Sequence, residues 1–103
     1  MTYSELDSIL GPRFSKKIDN NTFAARAPLG GSILITLHHN AVLEFFPDGA
    51  CRYSSCGWRT PTTKDRLNRF GLPGVRVYQR SGQWRIERNG KSEPFTDGVI
   101  IYP

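Results

Sequence analysis

The chain has little of what most catalytic and metal sites are made from. Its 103 residues include two cysteines, two histidines and one methionine. Cys51 and Cys56 lie in one predicted strand with odd separation, which places them on opposite faces, so no disulfide between them is expected. With the adjacent pair His38-His39 they are too few and badly spaced for a zinc site. Acidic residues are scattered singly, leaving no carboxylate dyad. The motifs GxSxG, GxxxxGK[ST], HExxH and GxGxxG are all absent. These absences predict no cofactor and no enzyme. Long apolar runs are missing too. The longest, such as Ile33-Leu34-Ile35 and Val99-Ile100-Ile101, fall far short of the ~20 residues of a membrane span. The stretch Met1 to Leu10 carries Glu5 and Asp7 and no basic segment, so it does not read as a signal peptide. Without a cysteine framework, a reducing compartment is expected.

What is present is basic charge, unevenly spread. The net charge is +5, from 14 basic and 9 acidic side chains. Residues 1–51 sum to −1, residues 52–88 to +7 and residues 89–103 to −1. The basic stretch holds Arg52, Arg59, Lys64, Arg66, Arg69, Arg76, Arg80, Arg85 and Arg88 against Asp65 and Glu87. All but one of the nine are arginines, which make planar contacts to phosphate and stack on rings. The alternative use of such a face is solubility.

Length and patterning predict one α+β domain over residues 1–103, a curved antiparallel sheet of about six strands with two short helices. Thr2 and Glu5 have capping-box spacing, and Tyr3, Leu6, Ile9 and Leu10 form an apolar stripe closed by Gly11-Pro12. Arg13 to Asn21 reads as polar and irregular. The period then changes to two. Thr22 to Ala27, Ser32 to His38, Ala41 to Phe46 and Ala50 to Ser55 are predicted strands, with turns at Asn40 and Pro47-Asp48-Gly49. A second helical segment falls within Trp58 to Phe70. Thr60 or Thr62 is its N-cap, Pro61 suits its first position, and Gly71 is its C′ glycine. Val75 to Arg80, Gln83 to Arg88 and Val99 to Tyr102 complete the strands, with turns at Ser81-Gly82, Asn89-Gly90 and Asp97-Gly98.

Two constellations invite a functional reading. In Gly57 to Phe70, a helix start is set among Thr60, Thr62 and Thr63, with Arg59 and Lys64 adding charge, a reasonable seat for an anion. Against this, the threonines can be caps and Trp58 a core residue. Asp65 and Arg69, at i and i+4, can pair with each other. In Val75 to Arg80, valines facing the core leave Arg76, Tyr78 and Arg80 as an outward stripe. Aromatics between arginines on a sheet suit single-stranded nucleic acid, through stacking and phosphate neutralisation. A polar side is also what any antiparallel sheet presents. A Cys–His nucleophile from Cys51 or Cys56 needs the fold to bring it together.

Asn21-Thr22-Phe23, Leu37-His38, Phe45 with Pro47-Asp48-Gly49, Gly57-Trp58-Arg59-Thr60 and Thr62 to Asn68 carry a resemblance. Together they resemble small proteins encoded by bacteriophages, prophages and plasmids, with the pattern N-T-[YF], L-H-x-T-D, F-x-P-D-G, S-G-G-W-x-T-x-T-T-K-x-R-[IL]-N. The resemblance spans about residues 4–85 and departs at His39-Asn40 and at Cys56, where the pattern has glycine. It implies a mobile-element origin and a place in the cytoplasm of an infected bacterium. It carries no activity and no functional residue.

The sequence therefore predicts a small non-enzymatic binding protein acting on nucleic acid or a nucleoprotein complex. The candidate contacts are Arg52, Arg59, Thr62, Thr63, Lys64, Arg66, Arg69, Arg76, Tyr78 and Arg80. The rival reading is a host-defence inhibitor of the anti-CRISPR kind, working by protein contact, for which Arg and Trp are typical anchors. A small hydrolase or nuclease with an unrecognised site is the third.

Overall fold

The computed structural model describes all 103 residues as two helices and nine strands in two antiparallel sheets. Helix α1 (Tyr3–Leu10) is capped as its sequence predicts, with the Glu5 N–H donating to the Thr2 hydroxyl. Its apolar stripe buries Leu6 and Leu10, each contributing about 1.5–3 kcal/mol of transfer free energy.

The first sheet runs β1 (Ser15–Asp19), β2 (Thr22–Arg26), β3 (Ile33–Leu37), β4 (Asn40–Phe45) and β5 (Cys51–Tyr53) as a meander. Strand β9 (Val99–Ile101) then pairs beside β5. Between β5 and β9 the chain leaves the sheet, forms α2 (Pro61–Phe70), and builds a second sheet from β6 (Val75–Arg80), β7 (Gln83–Arg88) and β8 (Lys91–Pro94). The α+β antiparallel architecture with two short helices is the predicted one. One sheet has six strands, including the unpredicted β1, and the predicted strands Val75–Arg80 and Gln83–Arg88 form with the unpredicted β8 a separate sheet of three. Neither helix is long and apolar enough to cross a membrane.

Several boundaries differ from the sequence reading for local reasons. Ser15–Asp19 is a strand although it is polar, because it is an exposed sheet edge with only one paired side. The β3–β4 turn is His38-His39, not Asn40, and both histidines hold left-handed backbone, φ 50° and 70°. Asn40 instead pairs with Leu37. Strand β5 ends at Tyr53, so Cys56 sits in the following turn at φ 52°, with Gly57 at 81°. Glycine, the residue of the resembling pattern at position 56, suits that conformation best. In β4 the register skips Val42, a bulge that turns both Val42 and Leu43 inward.

One cluster of 17 buried residues joins both helices and both sheets. Helix α2 lies at its centre and is fixed at several points. The Asn68 side chain donates to the Val77 carbonyl and accepts from the Val77 N–H, both at 2.8 Å, completing the open edge of β6. Arg66 donates through Nε to the Thr22 hydroxyl at 2.9 Å and through Nη2 to the Asn20 carbonyl at 3.3 Å. At the far end the Leu72 N–H donates to the Tyr53 hydroxyl at 2.7 Å. Tyr53 is fully buried, and burial raises its phenol well above the ordinary value.

Gly71 follows the helix as predicted, but not for its conformational freedom. Its φ is −73°, open to any residue. A Cβ there would stand 2.3 Å from the Leu67 carbonyl oxygen and 2.5 Å from the Tyr53 hydroxyl. Gly71→Ala should therefore lower unfolding free energy by roughly 1–3 kcal/mol, the range of core overpacking. Urea titration reads this directly; a midpoint equal to the parent's would refute the close approach.

Candidate functional site

The predicted contact residues divide into those the fold consumes and those it leaves free. Arg66 is consumed. Its side chain is only 12% exposed, and besides Thr22 and Asn20 it meets Asp65 at 2.5 Å and Asp19 at 3.9 Å. Arg69 pairs with Asp19 at 2.5 Å and, at the expected i+4 spacing, with Asp65 at 3.3 Å, while its guanidinium lies over the Phe70 ring. Arg52 pairs with Glu44 at 3.0 Å. Thr63 is buried, its hydroxyl 3.0 Å from that of Thr60. Thr60 is the N-cap of the two candidates, accepting from the Thr63 N–H. Arg59 and Lys64 lean together over Trp84, their charges 5.6 and 5.8 Å from its ring centroid. Arg59 also covers Phe95, which meets Trp84 edge-on at 5.7 Å.

The basic stretch is thus less basic in space than in sequence. Asp19 and Glu44, from the acidic half of the chain, neutralise arginines of the basic third. The Asn20 N–H at 2.7 Å is the main cause that holds the Asp19 carboxyl below its usual range, joined by Arg69 and Arg66 against partial burial.

On the outer face of the second sheet the predicted stripe is present. Val75 and Val77 face the core, and Arg76, Tyr78 and Arg80 face out. The register sets Arg85 opposite Tyr78 and Glu87 opposite Arg76. The Arg76 guanidinium stacks 4.5 Å from the centre of the Tyr78 ring and reaches Glu87 only at 3.8 Å. The Tyr78 hydroxyl shares a 2.6 Å hydrogen bond with Ser92, to which Arg85 also donates at 2.9 Å. That bond, with Arg85 nearby, holds the phenol below its usual range. Arg80 and Arg85 have no carboxylate partner. With Tyr78, Ser81, Gln83 and Ser92 they line a shallow depression of about 340 Å³.

A second, deeper feature was only partly legible. A pocket of about 490 Å³ opens between the β3–β4 turn, the loop after β5 and the first turn of α2. Leu37 and Val42 supply apolar lining, with His38, Asn40, Ser55, Thr60, Thr62 and Thr63 around them. Trp58 also lines it and is 63% exposed, so it is not the core residue its type suggests. Three separated segments that carry the phage resemblance, Leu37-His38, Trp58 to Thr60 and Thr62-Thr63, meet here. Nothing in the alternation of β3 signals that His38 would turn away from its strand.

The loop beside this pocket is pinned by Asp97, which accepts from the Ser55 N–H and hydroxyl, each at 2.8 Å. Burial opposes that charge, but the Ser55 bonds, Arg59 and the Gly57 N–H outweigh it and keep the carboxyl low. Cys51 and Cys56 are both free. Burial pushes the Cys51 thiol up to about 12, which leaves it protonated at neutral pH. The Cys56 thiol donates to the Ala41 carbonyl at 3.2 Å and not to a histidine.

Asp19 gives a pH prediction. Its native pKa is depressed, so its contribution is complete above the ordinary aspartate value of about 3.9 and fades as pH falls through the native one. Asp19→Asn should lower the melting temperature at neutral pH, and the parent and variant should converge in acid. Melting curves followed by circular dichroism would contradict the ionic role if the gap stayed constant with pH.

No curated protein and no solved structure matches the chain. The model of one family, a phage family described as Kyanoviridae Gp96 protein, matches residues 7–102. That match covers nearly the whole chain, including both sheets, α2 and the pocket at its first turn, and the protein therefore belongs to the Kyanoviridae Gp96 protein family.

Proposed function

We propose that this phage protein is a non-enzymatic binding module of the infected cell's cytoplasm that takes single-stranded nucleic acid on the outer face of its three-stranded sheet. The observation that carries the reading is the grouping of Arg76, Tyr78, Arg80 and Arg85 on one solvent-facing side, with Arg80 and Arg85 free of carboxylates. Free guanidinium groups release counterions when they meet phosphate, which supplies affinity without sequence preference. The Arg76–Tyr78 stack adds flat surface on which a base can continue, since arginine planes and aromatic rings both serve that purpose. Arg52, Arg66 and Arg69 drop out of the interface because their charges are met within the fold.

A second reading, a host-defence inhibitor working by protein contact, is favoured by one observation. Trp58 is the kind of side chain that anchors protein interfaces, and it stands open to solvent. In that reading Trp58→Ala abolishes capture of a host protein complex, capture survives nuclease, and the purified protein shifts no nucleic acid.

The two readings separate in a salt titration. About three phosphate contacts, from Arg76, Arg80 and Arg85, give a log–log slope near −2 for a single strand. Replacing Arg80 and Arg85 together by alanine should flatten that slope by roughly 1.4, whereas Arg66→Ala should lower stability and leave the slope alone. Fluorescence anisotropy with short DNA and RNA strands makes the measurement. No binding at low salt, or a slope untouched by the double substitution, would reject the nucleic-acid reading.

A further inference from the structure

The pocket beside α2 has a composition that narrows what it can hold. Its volume of about 490 Å³ lies within the range of small-molecule sites, ~300–1,000 Å³. No Asp, Glu, Lys or Arg lines it. A charged ligand would lose its hydration there without a countercharge in return. Leu37 and Val42, 5% and 2% exposed, provide a buried apolar surface, and the β4 bulge is what turns Val42 toward it. An entirely apolar ligand fits poorly as well, because it would strand the polar side chains around that surface. Ser55 is held by Asp97, and Thr60 and Thr63 hold each other. His38, Asn40, Thr62 and the Trp58 indole N–H are left to bond with whatever enters.

We infer that this pocket binds one uncharged, planar, hydrogen-bonding heterocycle of the nucleobase class. Trp58 provides an open aromatic surface of the kind on which bases stack. The Asn40 amide offers a donor and an acceptor side by side, the pairing that a base edge presents in complement. His38 and Thr62 add to that polar set. The rim is set by the fold, since the Leu37–Asn40 pair closes the His38-His39 turn and the Trp58 backbone N–H donates to the Ser55 carbonyl at 2.9 Å. The heterocycle can arrive as a free nucleoside or as an unstacked base of a strand. The site shares no residue with the β6–β7 arginines, so each can fail alone.

Iodide quenching of tryptophan fluorescence tests the inference, because Trp58 is 63% exposed and Trp84 only 5%. Adenosine, guanosine, cytidine and uridine are each titrated at millimolar concentration, alongside ribose 5-phosphate and N-acetylphenylalaninamide. At least one nucleoside should shield Trp58 and shift the amide resonances of His38, Asn40 and Thr62. Trp58→Ala, which removes an exposed side chain, should weaken that binding about tenfold, the scale of one lost base stack. Thr62→Val, also at an exposed position, should weaken it about threefold, near the lower end for one hydrogen bond. A short oligonucleotide that displaces the nucleoside identifies a strand as the source; one that does not identifies the free nucleoside, and both outcomes support the site. The inference fails if no nucleoside shields Trp58, or if ribose 5-phosphate or the capped phenylalanine does so equally. Oligonucleotide binding without nucleoside binding overturns the pocket and leaves the sheet-face reading intact.

Discussion

Asn68 makes two hydrogen bonds to the backbone of Val77 and so does for β6 what a neighbouring strand would do. Without it the edge of the three-stranded sheet would leave that N–H and carbonyl with no protein partner. This junction decides where α2 sits, and α2 in turn decides how the two sheets share one core. Arg66 fixes the other flank of the helix to the β1–β2 turn, and the Tyr53 hydroxyl receives the chain as it leaves through Gly71 and Leu72. Leu67, fully buried, lies between these attachments. Both surfaces proposed for binding adjoin this helix: the pocket at its first turn, and the second sheet carried on its side.

The same arrangement redistributes charge. The tie between α2 and the β1–β2 turn places Arg66 and Arg69 beside Asp19, and the meander places Arg52 beside Glu44. The more exposed of these, at Arg52 and Arg69, contribute little stability each. Their larger effect is to remove charge from the surface that a polyanion would meet. On the outer face of the second sheet Arg80 and Arg85 keep no carboxylate partner, Arg85 being held instead by the Ser92 hydroxyl and carbonyl. The basic excess of the middle third is thereby reduced at Arg52, Arg66 and Arg69.

Local chemistry made much of this legible in the sequence. Thr60, Pro61 and Gly71 bracket α2 as a cap, a first-turn proline and a stop should, and the alternation of Ile33, Ile35 and Leu37 marks a buried strand face. The Val75–Arg80 stripe followed from the same period. Features set by distant partners were not legible. Ser15–Asp19 has no apolar pattern because it pairs on one side only. The ion pairs of Arg66 and Arg69 with Asp19 span more than forty residues. Gly71 looked like a left-handed cap, but its requirement is steric, from the Leu67 carbonyl and from Tyr53, eighteen residues earlier. The pocket escaped because its shape depends on two left-handed turns, at His38-His39 and Cys56-Gly57, of which only Gly57 carries the usual residue.

The central claim is the proposal that the outer face of the second sheet, positioned by α2, binds nucleic acid through Arg76, Tyr78, Arg80 and Arg85. The most direct measurement is a map of backbone and arginine side-chain resonances as a short single-stranded oligonucleotide is added. The account predicts shifts at Arg76, Tyr78, Arg80, Arg85 and Ser92, with the Arg66 and Arg69 guanidinium signals unmoved. Shifts centred on Arg66 and Arg69, or spread over the outer face of the six-stranded sheet, or none at all, would contradict it.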